Sequence, residues 1–449
     1  MNVYRSPIFF LLLSNFCFAQ SSDTADYYSS GRMRYENFTY LKNIKTVQLR
    51  REGNELSSPT LDLNGTDKLE LSFDDLEGDE KDYSYTFIHC TANWEPSDLL
   101  ESDFMIGYME DRIRLFRYSF NTIQRYTHYS LVFPNEDIQL SKSGNYVIKV
   151  FAGYDKKQLV LTRRFMLFEN KITLETDVHP ASGADTRRSH QEVDFTIYHN
   201  GYDINNPFSD LKILLVQNDR WDNSIKDLKP IFIKDKELVY DYERENLFKG
   251  GNEFRPFDFR SLHFNSARLD HIRFEPLEAP ADTTDSTIVK YFNVYLLPDQ
   301  KKSYMRYYST ERDINGKYLI TNQDVKNSNA DTEADYAFVH FSLPYPSPIA
   351  DGNLYVGGEL TDWAFTNENK MNYNYSEKSY ECTLYLKQGY YNYEYFFLGD
   401  GISKADETYI EGNHSETENA YAIYVYHREI GSRYDRLIGI KFVNSAFGH

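Results

Sequence analysis

The sequence predicts an all-β protein of tandem antiparallel β-sandwich domains, and three observations carry that expectation. The 449 residues include 39 tyrosines and 31 phenylalanines, types that suit a pleated, half-buried surface. Apolar residues recur with period two over short runs, as in Tyr83, Tyr85 and Phe87 or Tyr146, Ile148 and Val150, which places them on one face of a strand. Ala-rich and heptad segments are absent, and the short runs come at intervals suited to a sandwich.

The chain opens MNVYRSPIFFLLLSNFCFAQ, with Arg5 ahead of an apolar run over 8–13 and a small residue at Ala19. That layout predicts a secretory signal peptide over 1–19, followed by a loose polar leader over 20–34. Beyond it remain Cys90 and Cys382, both in apolar strand-like runs. They are expected to be buried thiols, with a bridge between them left open. The net charge of −19 disfavours nucleic acid and anionic lipid as partners, since both demand a positive surface. It suits solubility, or a basic patch on a protein partner.

An N-terminal sandwich is expected over 35–168. The runs at 61–63 and 69–73 flank Asn64-Gly65 and read as two strands joined by a short turn. Residues 74–82 hold six carboxylates without the order of a calcium loop, so a solvated connection is expected there. His89 and Cys90 are adjacent and would face opposite ways on a strand, while His128, His179 and His190 supply no ligand spacing, so no metal is expected. The stretch 82–151 organises this domain. It carries Trp94, Tyr108, Phe116, Tyr118, Phe120, Tyr126, Tyr129 and Phe133, a density of rings that predicts packing on several sides. A strand over 158–168 closes the unit.

A middle sandwich is expected over 169–330, ending in the polar tract 322–335 as a linker. Trp221 stands in QNDRWDN and Arg255 in GGNEFRPFDFR, where Gly250 and Gly251 mark a turn. Trp94, Trp221 and Arg255 are the candidates for partner contact; Trp221 could equally cap a sandwich edge, and Arg255 could form a clasp with the neighbouring phenylalanines.

The last domain, 331–449, resembles the immunoglobulin-like early-set domains that include glycogen- and starch-binding modules. Gly358 and Trp363 match the turn of those modules, and Leu384, Leu386, Gly389 and Tyr391 match a later strand. Two departures stand against a sugar: Gly401 is followed by Ile402, Ser403 and Lys404 where a second tryptophan is expected, and Glu394 replaces a basic residue. The resemblance implies the fold, and leaves Trp363 as the glycan-contact candidate of an alternative carbohydrate-binding function.

Across the chain, IHCTANWEPSDLL, YSFNTIQRYTHYSLVFPNEDI and SGNYVIKVF, then QNDRWDN, GGNEFRPFDFRSL and DINGKY, resemble the type IX secretion system plug family of the Bacteroidetes. The resemblance implies a periplasmic protein at the inner face of the outer membrane, which seals the pore of the large outer-membrane barrel translocon between export events. It implies a monomer within a larger complex, with that barrel as partner. The sequence carries no Gly-x-Ser-x-Gly, no His-Glu-x-x-His and no phosphate loop, so neither catalysis nor a cofactor nor a small-molecule substrate is expected.

Overall fold

The computed structural model describes residues 33–266, 268–276, 289–304, 313–326 and 329–445; the expected signal over 1–19 lies outside them, as does the leader up to residue 32. In the first unit the period-two runs form two sheets. One is ordered Phe38–Thr39, Leu159–Phe168, Gly144–Ala152, Tyr83–Cys90 and Asp111–Arg112, with Thr60–Asp62 beside Leu159–Phe168. The other is ordered Ile44–Arg51, Leu69–Asp75, Thr127–Phe133 and Leu115–Tyr118. Tyr85, Phe87, Phe133, Tyr146 and Phe165 fill the core between them, with Tyr146 stacked on Phe165 at 5.2 Å.

The first sheet is apolar on its outer face as well. Ile88, Cys90, Val147 and Met166 alternate with the core residues and so point away from that core. A sheet apolar on both faces needs cover on both, and Leu214, Val216, Ala422, Tyr424 and Leu437 of the second unit supply it. Both cysteines are free and buried, and burial pushes each thiol up to about 12.

The Asn64-Gly65 turn forms, with the Gly65 N–H donating to Asp62 O at 2.9 Å. The strands it joins nevertheless lie in different sheets: Thr60–Asp62 runs parallel to Leu159–Phe168, while Leu69–Asp75 pairs with Ile44–Arg51 and Thr127–Phe133. The expected hairpin is therefore a crossing between layers. Leu61 and Leu69 enter one core from opposite walls, which a hairpin in a single sheet would not allow.

The boundary expected at 330 is corrected by the strand pairing. Lys290–Leu296 runs parallel beside Tyr336–Pro344, and Tyr318–Ile320 runs antiparallel beside Gly389–Gly399, so residues on either side of 330 share sheets. Leu211–Gln217 pairs with Ala420–His427, which pairs with Arg436–Asn444, and Leu211, Ile213, Ile423, Val425 and Ile438 share a core with Val193, Ile197 and Leu238. A third core, drawn from Phe257 through Ile410, lies within the chain between these halves. The third unit is thus an insertion into the second. Its two connections touch, His414 N–H donating to Gly251 O at 2.9 Å. A Cβ on Gly250 would lie 2.0 Å from His414 O, so a glycine is required where the two passes meet.

Inside the inserted unit a cross-strand ladder of rings sets the register. Phe257, Tyr391 and Tyr318 stack in turn at 5.1 Å each, nearly parallel, across three neighbouring strands. The tract 322–335 is not a linker. Asp335 accepts the Ile123 and Gln124 N–H groups at 2.5 and 3.1 Å, and Phe120 N–H donates to Thr332 O at 2.8 Å, so this tract docks the third unit on the first.

Candidate functional site

The side chains singled out by sequence are dispersed by the fold, and three of the four tie units together. Trp94 occupies a turn after Tyr83–Cys90 and is 5% exposed. It meets Trp221 edge-on at 5.1 Å, and the Arg164 guanidinium lies over both rings, at 4.4 and 5.7 Å. Burial pulls Arg164 down to about 10. Trp221 also stacks on Tyr424 at 5.8 Å. The two tryptophans therefore clasp the first unit to the second, and Trp94 cannot serve as an exposed partner anchor.

Arg255 is 4% exposed and does not clasp phenylalanine. Its guanidinium donates to Glu411 at 2.9 and 3.1 Å and to Asp299 at 2.9 Å, above the Tyr395 ring at 5.2 Å. Burial works against its charge, but Glu411 and Asp299 outweigh burial and raise its pKa well above the ordinary value. Trp363 is half-buried, met edge-on by Phe254 and Phe396 at 6.0 and 6.3 Å and by the Arg220 guanidinium at 5.4 Å. The Arg220 guanidinium thus takes one face of the ring, a face that a sugar would stack on.

The acidic run 74–82 departs most from expectation. Asp74 and Asp75 continue a strand and are fully buried. Asp75 accepts from Asn43 at 2.6 Å and Tyr83 at 2.9 Å and pairs with Lys81 at 2.8 Å. Asp74 accepts from Lys387 Nζ at 2.6 Å and the Tyr336 hydroxyl at 2.7 Å, both from the third unit, and contacts His128 Nδ1 at 2.7 Å. Burial would raise its carboxyl; Lys387 and His128 outweigh burial and hold it below the usual range.

Where the three units meet lies a cavity of about 80 Å³ lined by Arg163, Asp219, Lys317, Glu359, Asp362 and Trp363, among others. Lys317 pairs with Asp219 at 2.7 Å and Arg163 with Asp362 at 3.0 Å. Glu359 shares this space, and burial, with Asp219 and Asp362 nearby, pushes it up from 4.5 to about 7 against the pull of Lys317. The folded chain keeps a proton that the unfolded chain has released, so this contribution is full below about 4.5 and lost as pH rises through about 7. Glu359→Gln is expected to match the parent in melting temperature below that window and to exceed it above, checked by thermal melts across the pH range.

The dense aromatic stretch divides between core and surface. Tyr126, Tyr129 and Phe133 are buried, but Tyr108, Tyr118 and Phe120 are 63%, 54% and 71% exposed, with Ile106, Leu115 and Ile123 exposed beside them in sequence. The expectation of packing throughout is corrected for these positions. Asp111–Arg112 ends one sheet and Leu115–Tyr118 ends the other, so this segment borders both layers and has a neighbouring strand on one side. A terminal strand with exposed apolar side chains is a surface suited to protein contact.

The fold is that of an almost all-β protein of linked β-sandwich units. A family model, the type 9 secretion system plug protein first domain, matches residues 44–169. A crystal structure of a hypothetical protein from Parabacteroides merdae is similar over 92% of this chain and 100% of that chain, at 36% identity and a TM-score of 0.85. No curated protein matches the chain. Residues 44–169 thus place the chain with the type 9 secretion system plug proteins, which supports a role in type IX secretion.

Proposed function

We propose that this protein is a non-enzymatic plug, delivered to the periplasm by the signal at 1–19, that seats against the periplasmic side of the large outer-membrane barrel translocon and closes its pore when no cargo is engaged. The observation that carries this reading is the locking of the units. Asp74 with Lys387 and Tyr336, Arg164 with the two tryptophans, and Arg163 with Asp362 at 3.0 Å all join one unit to another through buried or half-buried groups. A seal has to hold its shape across an opening, and such a body carries its surface segments on a stiff scaffold.

The exposed border strand is the seat. Leu115, Tyr118 and Phe120 offer apolar contact, and the outer backbone groups of Leu115–Tyr118 offer strand pairing to a β-rich partner. Release on demand calls for moderate affinity, which a short edge supplies better than a deep anchor.

Affinity capture from detergent-solubilised outer membranes tests both parts. The parent protein is expected to recover a very large barrel protein. The Leu115→Glu, Tyr118→Glu double variant is expected to lose affinity by about tenfold or more, roughly 1.4 kcal/mol, with an unchanged melting temperature. Failure of the parent to recover a barrel would overturn the plug reading; undiminished capture by the variant would displace the seat alone.

A further inference from the structure

The hairpin of Thr173–Pro180 and His190–Tyr198 gathers three side chains that sequence spacing keeps apart. His179 lies opposite Glu192, and Asp177 opposite Asp194, so His179, Glu192 and Asp194 share one face of the sheet. One ligand-type atom from each lies within 4.8 Å of the others.

Each of the three is held in orientation by a neighbour. His179 Nδ1 is 2.9 Å from Pro180 O; a carbonyl only accepts, so Nδ1 carries a ring proton and, in the neutral ring, Nε2 holds the lone pair. Glu192 is buried, and its Oε2 accepts the Ser182 N–H at 2.8 Å. Asp194 Oδ1 accepts from Asn246 Nδ2 at 2.8 Å. An imidazole fixed by a backbone carbonyl and a carboxylate fixed by an amide are the supports that metal ligands receive.

Two further features call for a cation. His179 Nε2 is 3.1 Å from Asp194 Oδ2, so with the ring proton on Nδ1 two electron-pair donors face each other, and either a proton or a metal ion has to lie between them. Asn246 is fully buried, and its Oδ1 has no hydrogen-bond partner although it belongs to the amide that grips Asp194.

We propose that His179 Nε2, Glu192 and Asp194 bind a single divalent transition-metal ion of the zinc class. One imidazole nitrogen with two carboxylates suits such an ion, whereas calcium and magnesium favour shells of oxygen alone. The ion ties the loop end of this hairpin together. Ser189, in the loop between the two strands, accepts from Gly250 N–H at 2.8 Å where the chain leaves for the inserted unit, so the metal braces the second unit at that connection. This site goes beyond the plug reading and does not depend on it.

The test uses the full chain, stripped with chelator, titrated with Zn²⁺ by calorimetry and with Co²⁺ by visible absorption. One equivalent is expected to bind, with Co²⁺ giving the d–d bands of a low-coordinate site. His179→Gln and Asp194→Asn are each expected to weaken binding by about 100-fold, while His271→Gln, on another sheet, leaves it unchanged. Zn²⁺ is also expected to raise the melting temperature of the parent, a readout that needs no substitution. Absence of one-equivalent binding, affinity unchanged in both ligand variants, or a melting temperature indifferent to saturating Zn²⁺ would overturn the proposal.

Discussion

Replacing Lys387 by methionine is expected to lower the unfolding free energy by about 3–5 kcal/mol, the cost of leaving a buried charge without its partner. Lys387 and Asp74 have side chains 1% exposed, and Nζ also donates to Asp331 O at 2.7 Å. With the ammonium gone, the Asp74 carboxylate keeps the Tyr336 hydroxyl and His128 but loses its compensating cation inside the contact between first and third units. Chemical denaturation measures the loss. The Asp74→Asn, Lys387→Met double variant is expected to be more stable than Lys387→Met alone, because the stranded charge has then been removed as well. A loss under 1 kcal/mol for the single variant would show that water reaches Asp74. The same pair gives an acid limb. Asp74 is held below its ordinary 3.8, so its contribution is present above that value and fades as pH falls through the lower, folded value.

Arg255→Met is expected to cost a similar amount, about 3–5 kcal/mol, and to leave partner binding by the remaining folded protein unaltered. The substitution strands the carboxylates of Glu411 and Asp299, whose side chains are 0% and 2% exposed. Arg268 also pairs with Asp299 at 2.5 Å, so Glu411 bears most of the loss. Arg255→Lys is expected to recover part of it, since one ammonium cannot reproduce the donations to Glu411, to Asp299 and to Gln300 O at 2.8 Å. Thermal melting and barrel capture, run on one preparation, separate the two roles. A variant that melts like the parent but no longer captures the barrel would restore Arg255 as a contact residue.

Several site residues carried a correct chemical signal and a wrong location. Trp94, Trp221 and Arg255 stand out in sequence because large amphipathic side chains carry large energies; in the two tryptophans that energy joins units of one chain, and in Arg255 it holds a buried ion cluster inside the third unit. Glu394 was legible as an oddity in its strand. In the fold it is buried, and burial, with Glu411 close by, raises its carboxyl well above the ordinary range. Tyr118 and Phe120 were legible as aromatic but not as exposed, because exposure there follows from being the last strand of a sheet.

By itself, the sequence determined the all-β class, the period-two faces of strands such as Tyr83–Cys90 and the resemblance to the plug family, because alternation, composition and word order are local properties of a chain. Tertiary structure alone decided that the third unit is nested in the second, that Asp74 meets Lys387, and that His179 meets Glu192 and Asp194. Each of these needs two strands distant in sequence, or on opposite arms of a hairpin, to choose one register. That choice rests on the burial of whole faces, a sum over many residues that no short window contains.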